Sequence, residues 1–414
     1  MKKLSPILII LFCCQISFGS DTTIVFRPTE FSKVFEAAKR EQKPVMLFFH
    51  FDGCGACNIM IQDIFTKKSV YDFYNSKLVC YAINTLKGEG VELAKRYGVQ
   101  SCPAFLFLNA DGRVVHKIVG LYDTVSFIRQ AAYAFDAAGS LSDYRKRYDA
   151  GERGSDFLRE YCCKLRDAAE LDTVLIRMYV HTLPEEDIKR PENIRFIYEF
   201  CFHNHEPALP YGSKGFQFML SNRKLFNQYF DSSQVNARIV MLASDSLYSA
   251  IEHLNEREFN RIIAILKPFD GHDCLYKEMD GRLTAAMDSK HIIMNAQLAF
   301  YDKTRDKIKY EKTLDQFIKA IWNSSGELNT IAWNYFEKYD DPGHLNKALK
   351  WVKRSVELKS YYANNDTWAN LLYKLNRYQE GYARANIAIE LAIKEGVDYK
   401  STSELQEKLL GNNK

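Results

Sequence analysis

Between residues 22 and about 138, apolar positions fall in short blocks that switch spacing. Phe31, Val34, Phe35 and Ala38 recur at helical intervals behind Thr29, whose hydroxyl suits an N-cap. They predict a helix from Glu30 to Arg40. After Pro44, Val45–Phe51 is almost wholly apolar, as in a strand covered on both faces. Asp52-Gly53 turns the chain, and a helix begins near Cys54. Leu78–Ile83 predicts a second strand, and Val91–Tyr97 a short helix closed by Gly98. Ala104–Leu108 and Arg113–Val119 predict strands joined by Asn109-Ala110-Asp111-Gly112, a hairpin signal. Asp123 caps a helix reaching about Phe135. A βαβαβ order ending in a hairpin and a helix predicts an α/β sandwich.

From 140 to about 325 the periodicity is helical. Ser155 opens a helix through Lys164, Leu171–Leu183 forms another stopped by Pro184, and Pro191 opens a third. Further candidates lie at 213–230, 234–254, 256–266, 275–300 and 309–323. In 326–395 small residues recur in equivalent places: Ala332 with Ala369, Ala348 with Gly381, and Ser355 with Ala388. The last two offsets are 33; the first is 37, because the Asp340-Asp341-Pro342-Gly343 loop lengthens its unit. Small residues at this period let paired helices approach closely. Residues 396–414 read as a C-terminal tail.

Composition narrows the class. Of 414 residues, 47% are hydrophobic and 26% charged, which excludes a disordered, collagenous or multi-span membrane protein. A net charge of +4 lacks the concentrated basicity of a nucleic-acid binder. At the N-terminus, Lys2 and Lys3 precede an apolar run from Leu4 to Phe18, followed by Gly19 and Ser20. This layout predicts a secretory signal over residues 1–19, cleaved between Gly19 and Ser20. The run is shorter than the ~20 residues of a membrane span. Export to a bacterial periplasm is the expectation, with no span in the mature chain. Cys13 and Cys14 raise a lipid anchor, against which Phe12 and Cys13 stand as poorly suited preceding residues.

Of the remaining cysteines, one pair has a spacing that carries chemistry: Cys54-Gly55-Ala56-Cys57. At a helix start the first thiol lies over unpaired amide groups, which favour thiolate and lower its pKa below the ~8.5 of an ordinary cysteine. The second thiol can resolve a mixed disulfide made by the first. Half of a zinc site looks the same, but there is no second CxxC, and the pair follows a strand and opens a helix.

With these residues in view, the N-terminal region resembles a thioredoxin-fold domain of the exported bacterial kind. The matching features are the strand Val45–Phe51, the Cys54–Cys57 motif, Gly98-Val99 before Pro103, the hairpin at Gly112, and Gly120. The resemblance implies that Cys54 attacks, Cys57 resolves, and Pro103 is a cis-proline facing the disulfide. The backbone of Cys102 would then pair with a substrate strand. Residues 326–395 resemble tetratricopeptide repeats through Ala348-Leu349, Val352, Asn370–Leu375 and Ile387–Leu391.

Three positions depart from the thioredoxin pattern. Phe48 replaces a buried aspartate, Cys80 or Tyr81 replaces the neighbouring lysine, and Gly53 replaces a tryptophan. His50 is read either as a modulator (a base, or a cation favouring thiolate) or as a strand-edge side chain. Cys102 is either a third active thiol or a small space-filling residue. Cys162-Cys163 read as core residues. Cys201-x-His203-x-His205 and His272-x-Cys274 lack zinc-site spacing, so no metal is expected.

The expected function is an exported thiol–disulfide oxidoreductase acting on protein thiols and disulfides. It needs no cofactor beyond its two cysteines, and the helical repeats bind a protein or peptide partner. The alternative is a repeat scaffold carrying a weakly active or structural thioredoxin-fold domain. Gly55-Ala56 lacks the histidine of strongly oxidising relatives, so the direction of electron flow stays open.

Overall fold

The computed structural model describes residues 22–27, 30–201, 207–269 and 288–411, with the backbone of 275–277 and 283–286. The signal and its Gly19–Ser20 cleavage site, Cys13, Cys14, Thr29, His203, His205, His272 and Cys274 lie outside these residues. The chain divides into two compact units, one ending at Asn222 and one beginning at Arg223.

The first unit begins with an α/β sandwich. Its sheet has the order β2-β1-β3-β4, formed by β1 (Val45–His50), β2 (Val79–Asn84), β3 (Ala104–Leu108) and β4 (Val114–Val119). β1 pairs parallel with β2 and antiparallel with β3, and β3 pairs antiparallel with β4. Alternation along β1 splits the core in two. Val45, Leu47 and Phe49 point to the face covered by α1 (Phe31–Glu41) and by the short helix at Gly90–Arg96. Met46 and Phe48 point to the other face, against Phe65, Tyr74, Phe105 and Phe127. That face is covered by α2 (Gly55–Ile59), which widens into a π turn over Met60–Ile64, by α3 (Lys68–Lys77) and by a helix at Thr124–Ala132. The last is capped as expected: Val125 and Ser126 amides donate to the Asp123 carboxylate.

With the two helices at Gly90–Arg96 and Thr124–Ala132 numbered α4 and α5, five more complete this unit: α6 (Leu141–Asp149), α7 (Ser155–Asp167), α8 (Thr173–Thr182), α9 (Pro191–Phe200) and α10 (Lys214–Ser221). α6 and α7 pack on the edge strand β4. Two polar side chains of β4 are buried at this junction. His116 donates or accepts at Nε2 toward Gln130 Oε1 (2.8 Å) and accepts the Leu141 amide at Nδ1. Since Nδ1 accepts, Nε2 carries the proton and donates. Lys117 donates to the Gly98 carbonyl at 2.9 Å and pairs with Glu170 at 3.1 Å.

The second unit is mostly helical: α11 (Arg223–Phe226), α12 (Ser232–Glu252), α13 (Glu256–Leu266), α14 (Ser289–Lys303), α15 (Lys307–Ala320), α16 (Ser325–Lys338), α17 (Pro342–Leu358), α18 (Tyr362–Lys374), α19 (Tyr378–Glu395) and α20 (Lys400–Gly411). All four tryptophans, Trp322, Trp333, Trp351 and Trp368, lie here. α16 packs on α17, and α18 on α19. Ala332, Ala348, Ser355, Ala369 and Ala388 are fully buried. A Cβ on Gly381 would stand 2.7 Å from Leu409 Cδ2, so this position admits no larger residue without displacement.

Two expectations need correction. The region 140–325 is not wholly α-helical: a two-stranded antiparallel hairpin, β5 (Leu275–Lys277) and β6 (Leu283–Ala286), occupies the start of the helix expected at 275–300. Residues 396–414 are not a plain tail, because α20 buries Thr402, Leu405 and Leu409, packing on α19. Among the described residues, no helix is long and apolar enough to cross a membrane.

Candidate functional site

β1 ends at His50, and the chain turns through Asp52 and Gly53 into α2. Gly53 has φ +85°, a left-handed conformation that a side chain would strain, though a Cβ there would meet no atom within 4 Å. The turn is pinned from outside. Asn84 Nδ2 donates to Asp52 Oδ1 at 2.9 Å, and Lys87 pairs with Asp52 at 2.5 Å, which holds that exposed carboxyl below its usual range.

Cys54 is the N-cap of α2, and it forms a disulfide with Cys57, with Cα atoms 5.2 Å apart. The Cys57 amide donates to Cys54 Sγ at 3.1 Å, using one of the N–H groups a helix start leaves without a backbone partner. Both cysteines are enclosed: Cys54 is 5% exposed and Cys57 1%. Cys54, flanked by exposed Gly53 and Gly55, is the slightly more exposed of the two.

The Cys102–Pro103 peptide is cis, and the Pro103 carbonyl accepts the Gly120 amide at 2.8 Å. Cys102 is half-buried against the apolar cluster that contains Cys54 and Cys57. Thr85 donates its hydroxyl to the His50 carbonyl (3.2 Å) and lies 3.9 Å from Cys102 Sγ, which leaves Cys102 S–H as the donor in that contact. Burial raises the Cys102 thiol above its ordinary value. Both facts favour a neutral, space-filling thiol over a third nucleophile. Thr85 was not legible in the sequence, since no motif marks a residue that bridges two loops.

Phe48, standing where the family has a buried acid, is 1% exposed. It stacks on Phe105 at 5.2 Å and meets the edge of Phe65 at 5.2 Å. Cys80 is buried in the same cluster, where desolvation pushes its thiol up to about 12. Tyr81 turns to the opposite face and donates to Glu89 at 3.2 Å. Among the described residues of the sandwich, no aspartate or glutamate is buried. His50 stacks on Phe48 at 5.2 Å; burial outweighs the pull of Asp52 and holds its pKa below the ordinary histidine value. The ring is therefore neutral at pH 7, able to accept a proton but not to act as the cation. Desolvation also raises two thiols of α7: Cys163 is pushed up to about 11 and Cys162 higher still.

A sheet of this order, a Cys-x-x-Cys disulfide at the start of a helix and a proline after β2–α4 define a dithiol protein of the thioredoxin-fold class. A model of the thioredoxin-like domain family matches residues 31–135. Thioredoxin-1 of Drosophila yakuba is 38% identical over 86 residues, 21% of this chain and 74% of that protein. The chloroplastic thioredoxin Y of Oryza sativa subsp. japonica is 24% identical over 120 residues, 29% of this chain and 68% of that one. A solution structure of a thioredoxin from Thermus thermophilus shares 24% identity, covers 28% of this chain and 94% of its own, and gives a TM-score of 0.26. Through its N-terminal domain, the chain belongs to the thioredoxin family.

Proposed function

We propose that the protein is an exported thiol–disulfide oxidoreductase that exchanges disulfides with protein partners held by its helical region. The Cys54 thiolate attacks one sulfur of a partner disulfide, forming a mixed disulfide and releasing the other partner sulfur as thiolate. Deprotonated Cys57 then attacks Cys54 Sγ, closes the Cys54–Cys57 disulfide and releases the second partner thiolate. Two electrons pass from the protein to the partner; run backwards, the same steps oxidise it. The proton from Cys57 goes to neutral His50 or to water, because no buried acid is present to take it.

The observation that carries this reading is the Cys57 N–H directed at Cys54 Sγ, a donor ready to stabilise the thiolate once the disulfide opens. The test is reduction of insulin by the full-length protein with dithiothreitol as the electron source. Activity lost in Cys54→Ser supports the reading. Wild-type turnover no faster than dithiothreitol alone favours the scaffold alternative, to which Phe48 lends its support. Export is tested by N-terminal sequencing of secreted material, which should begin near Ser20.

A further inference from the structure

The second unit carries a groove with a chemistry that thiol exchange does not use. It lies between α15 and α17 and measures about 570 Å3. Buried Trp351 and half-buried Ile318 and Trp322 line it, together with exposed Lys319, Lys347 and Lys350. The two helices together hold eight lysines and arginines against three carboxylates. Of these, Lys319, Lys347 and Lys350 line the groove, against one carboxylate, Asp315.

Part of this charge is already neutralised: Lys347 pairs with Glu311 at 2.9 Å. Lys319 and Lys350 meet no carboxylate within ion-pair distance among the described residues, although Asp315 also lines the groove. Two uncompensated ammonium groups beside an apolar depression suit a ligand with carboxylates on either side of an apolar side chain. The Trp322 ring is approached by Lys350 Nζ at 5.9 Å and by the Arg354 guanidinium at 5.8 Å. With cations already over it, the indole is poorly placed to stack a nucleobase. A recessed groove with an apolar lining also fits a single chain better than it fits a flat lipid surface.

We propose that this groove binds an acidic peptide segment of a partner protein. One large apolar side chain enters between α15 and α17, and flanking carboxylates pair with Lys319 and Lys350. The inference rests on the reading above only in that the helical region engages a partner; binding here requires no thiol step.

The test titrates full-length protein into a fluorescein-labelled peptide of sequence Glu-Glu-Leu-Phe-Glu-Glu, with Lys-Lys-Leu-Phe-Lys-Lys as the charge-inverted control, and reads anisotropy. The acidic peptide should bind at least about tenfold more tightly than the control, with affinity falling as salt rises. The double variant Lys319→Glu/Lys350→Glu, checked for folding by circular dichroism, should lose about tenfold or more in affinity. Lys312→Glu, a charge change on α15 outside the groove, should lose much less, and Cys54→Ser nothing. Equal affinity for both peptides, or an equal loss in Lys312→Glu, overturns the proposal. So does stronger capture of anionic phosphatidylglycerol vesicles or single-stranded DNA than of the peptide. None of these readouts depends on insulin reduction, so failure here and failure of the redox reading are separate results.

Discussion

The Leu141 amide donates to Nδ1 of His116 at 3.2 Å, joining the first helix after the α/β sandwich to the middle of its edge strand. His116 is fully buried, and its other nitrogen is committed to Gln130. Beside it, Lys117 is 5% exposed and depends on Glu170, beyond α7, for its counter-charge. The sandwich therefore takes part of its polar satisfaction from α6 and the α7–α8 connection.

A fragment ending at residue 138 should accordingly be less stable than one ending at 222. It loses the Leu141 donor and strips Lys117 of Glu170, each loss costing about 1–3 kcal/mol where the group stays buried. Urea unfolding of fragments 22–138 and 22–222 compares them directly. Equal midpoints would show that the helices are not needed by the sheet.

The pH profile follows from the same histidine. Burial pushes the His116 pKa down to about 4 from 6.5. The folded value is the lower one, so the unfolded chain binds the extra proton between these limits. His116 thus favours folding fully above about pH 6.5, and that contribution is lost as pH falls toward about 4, by at most roughly 3 kcal/mol. Thermal melts from pH 7 to pH 4 should fall more steeply for the wild type than for His116→Gln. Parallel profiles would refute the assignment.

At the redox site, reduced protein treated with iodoacetamide at pH 7 should be modified first at Cys54. The Cys80, Cys162 and Cys163 thiols are held protonated by burial, and Cys57 is the more enclosed of its pair. Mass spectrometry of a time course reads the order. Cys57→Ser should trap a mixed disulfide with the partner. Equal rates at Cys54 and Cys57 would remove the basis for naming the nucleophile.

Phe48→Asp tests whether a buried acid speeds resolution. The ring fills space between Phe105 and Phe65, so the change leaves a cavity as well as a charge, and the destabilisation should be about 3–5 kcal/mol or more. Stopped-flow measurement of mixed-disulfide resolution, under conditions where the variant is folded, should show a faster rate at neutral pH. An unchanged rate in folded protein would mean that His50 or water already suffices.

Much of the first domain was legible because its signals are local. The run Val45–Phe49 is buried on both faces, and the Asp123 cap and the Asn109–Gly112 turn need only neighbouring residues. The helix α3 was not, since only Val70 and Tyr74 of its ten residues are buried and its N-cap, Lys67, makes no side-chain bond. The hairpin β5–β6 consists of strands of 3 and 4 residues, too short for alternation to show. In α20 the spacing of Thr402, Leu405 and Leu409 does form a helical stripe, but the polar residues around it read as a tail. At the site, the cysteines and Pro103 are motif residues, and Phe48 could be read as a departure from one. The Thr85–Cys102 and Leu141–His116 contacts join segments far apart in sequence, and only the folded chain brings them together.

Gly53 leaves Cys54 without an indole beside it, while every tryptophan lies beyond residue 320. The protein is therefore spectroscopically partitioned. Indole emission reports the second unit alone, and opening or closing the Cys54–Cys57 bond has no tryptophan in its own unit to quench. An emission change during a redox titration would show that the state of the Cys54–Cys57 pair is felt in the second unit.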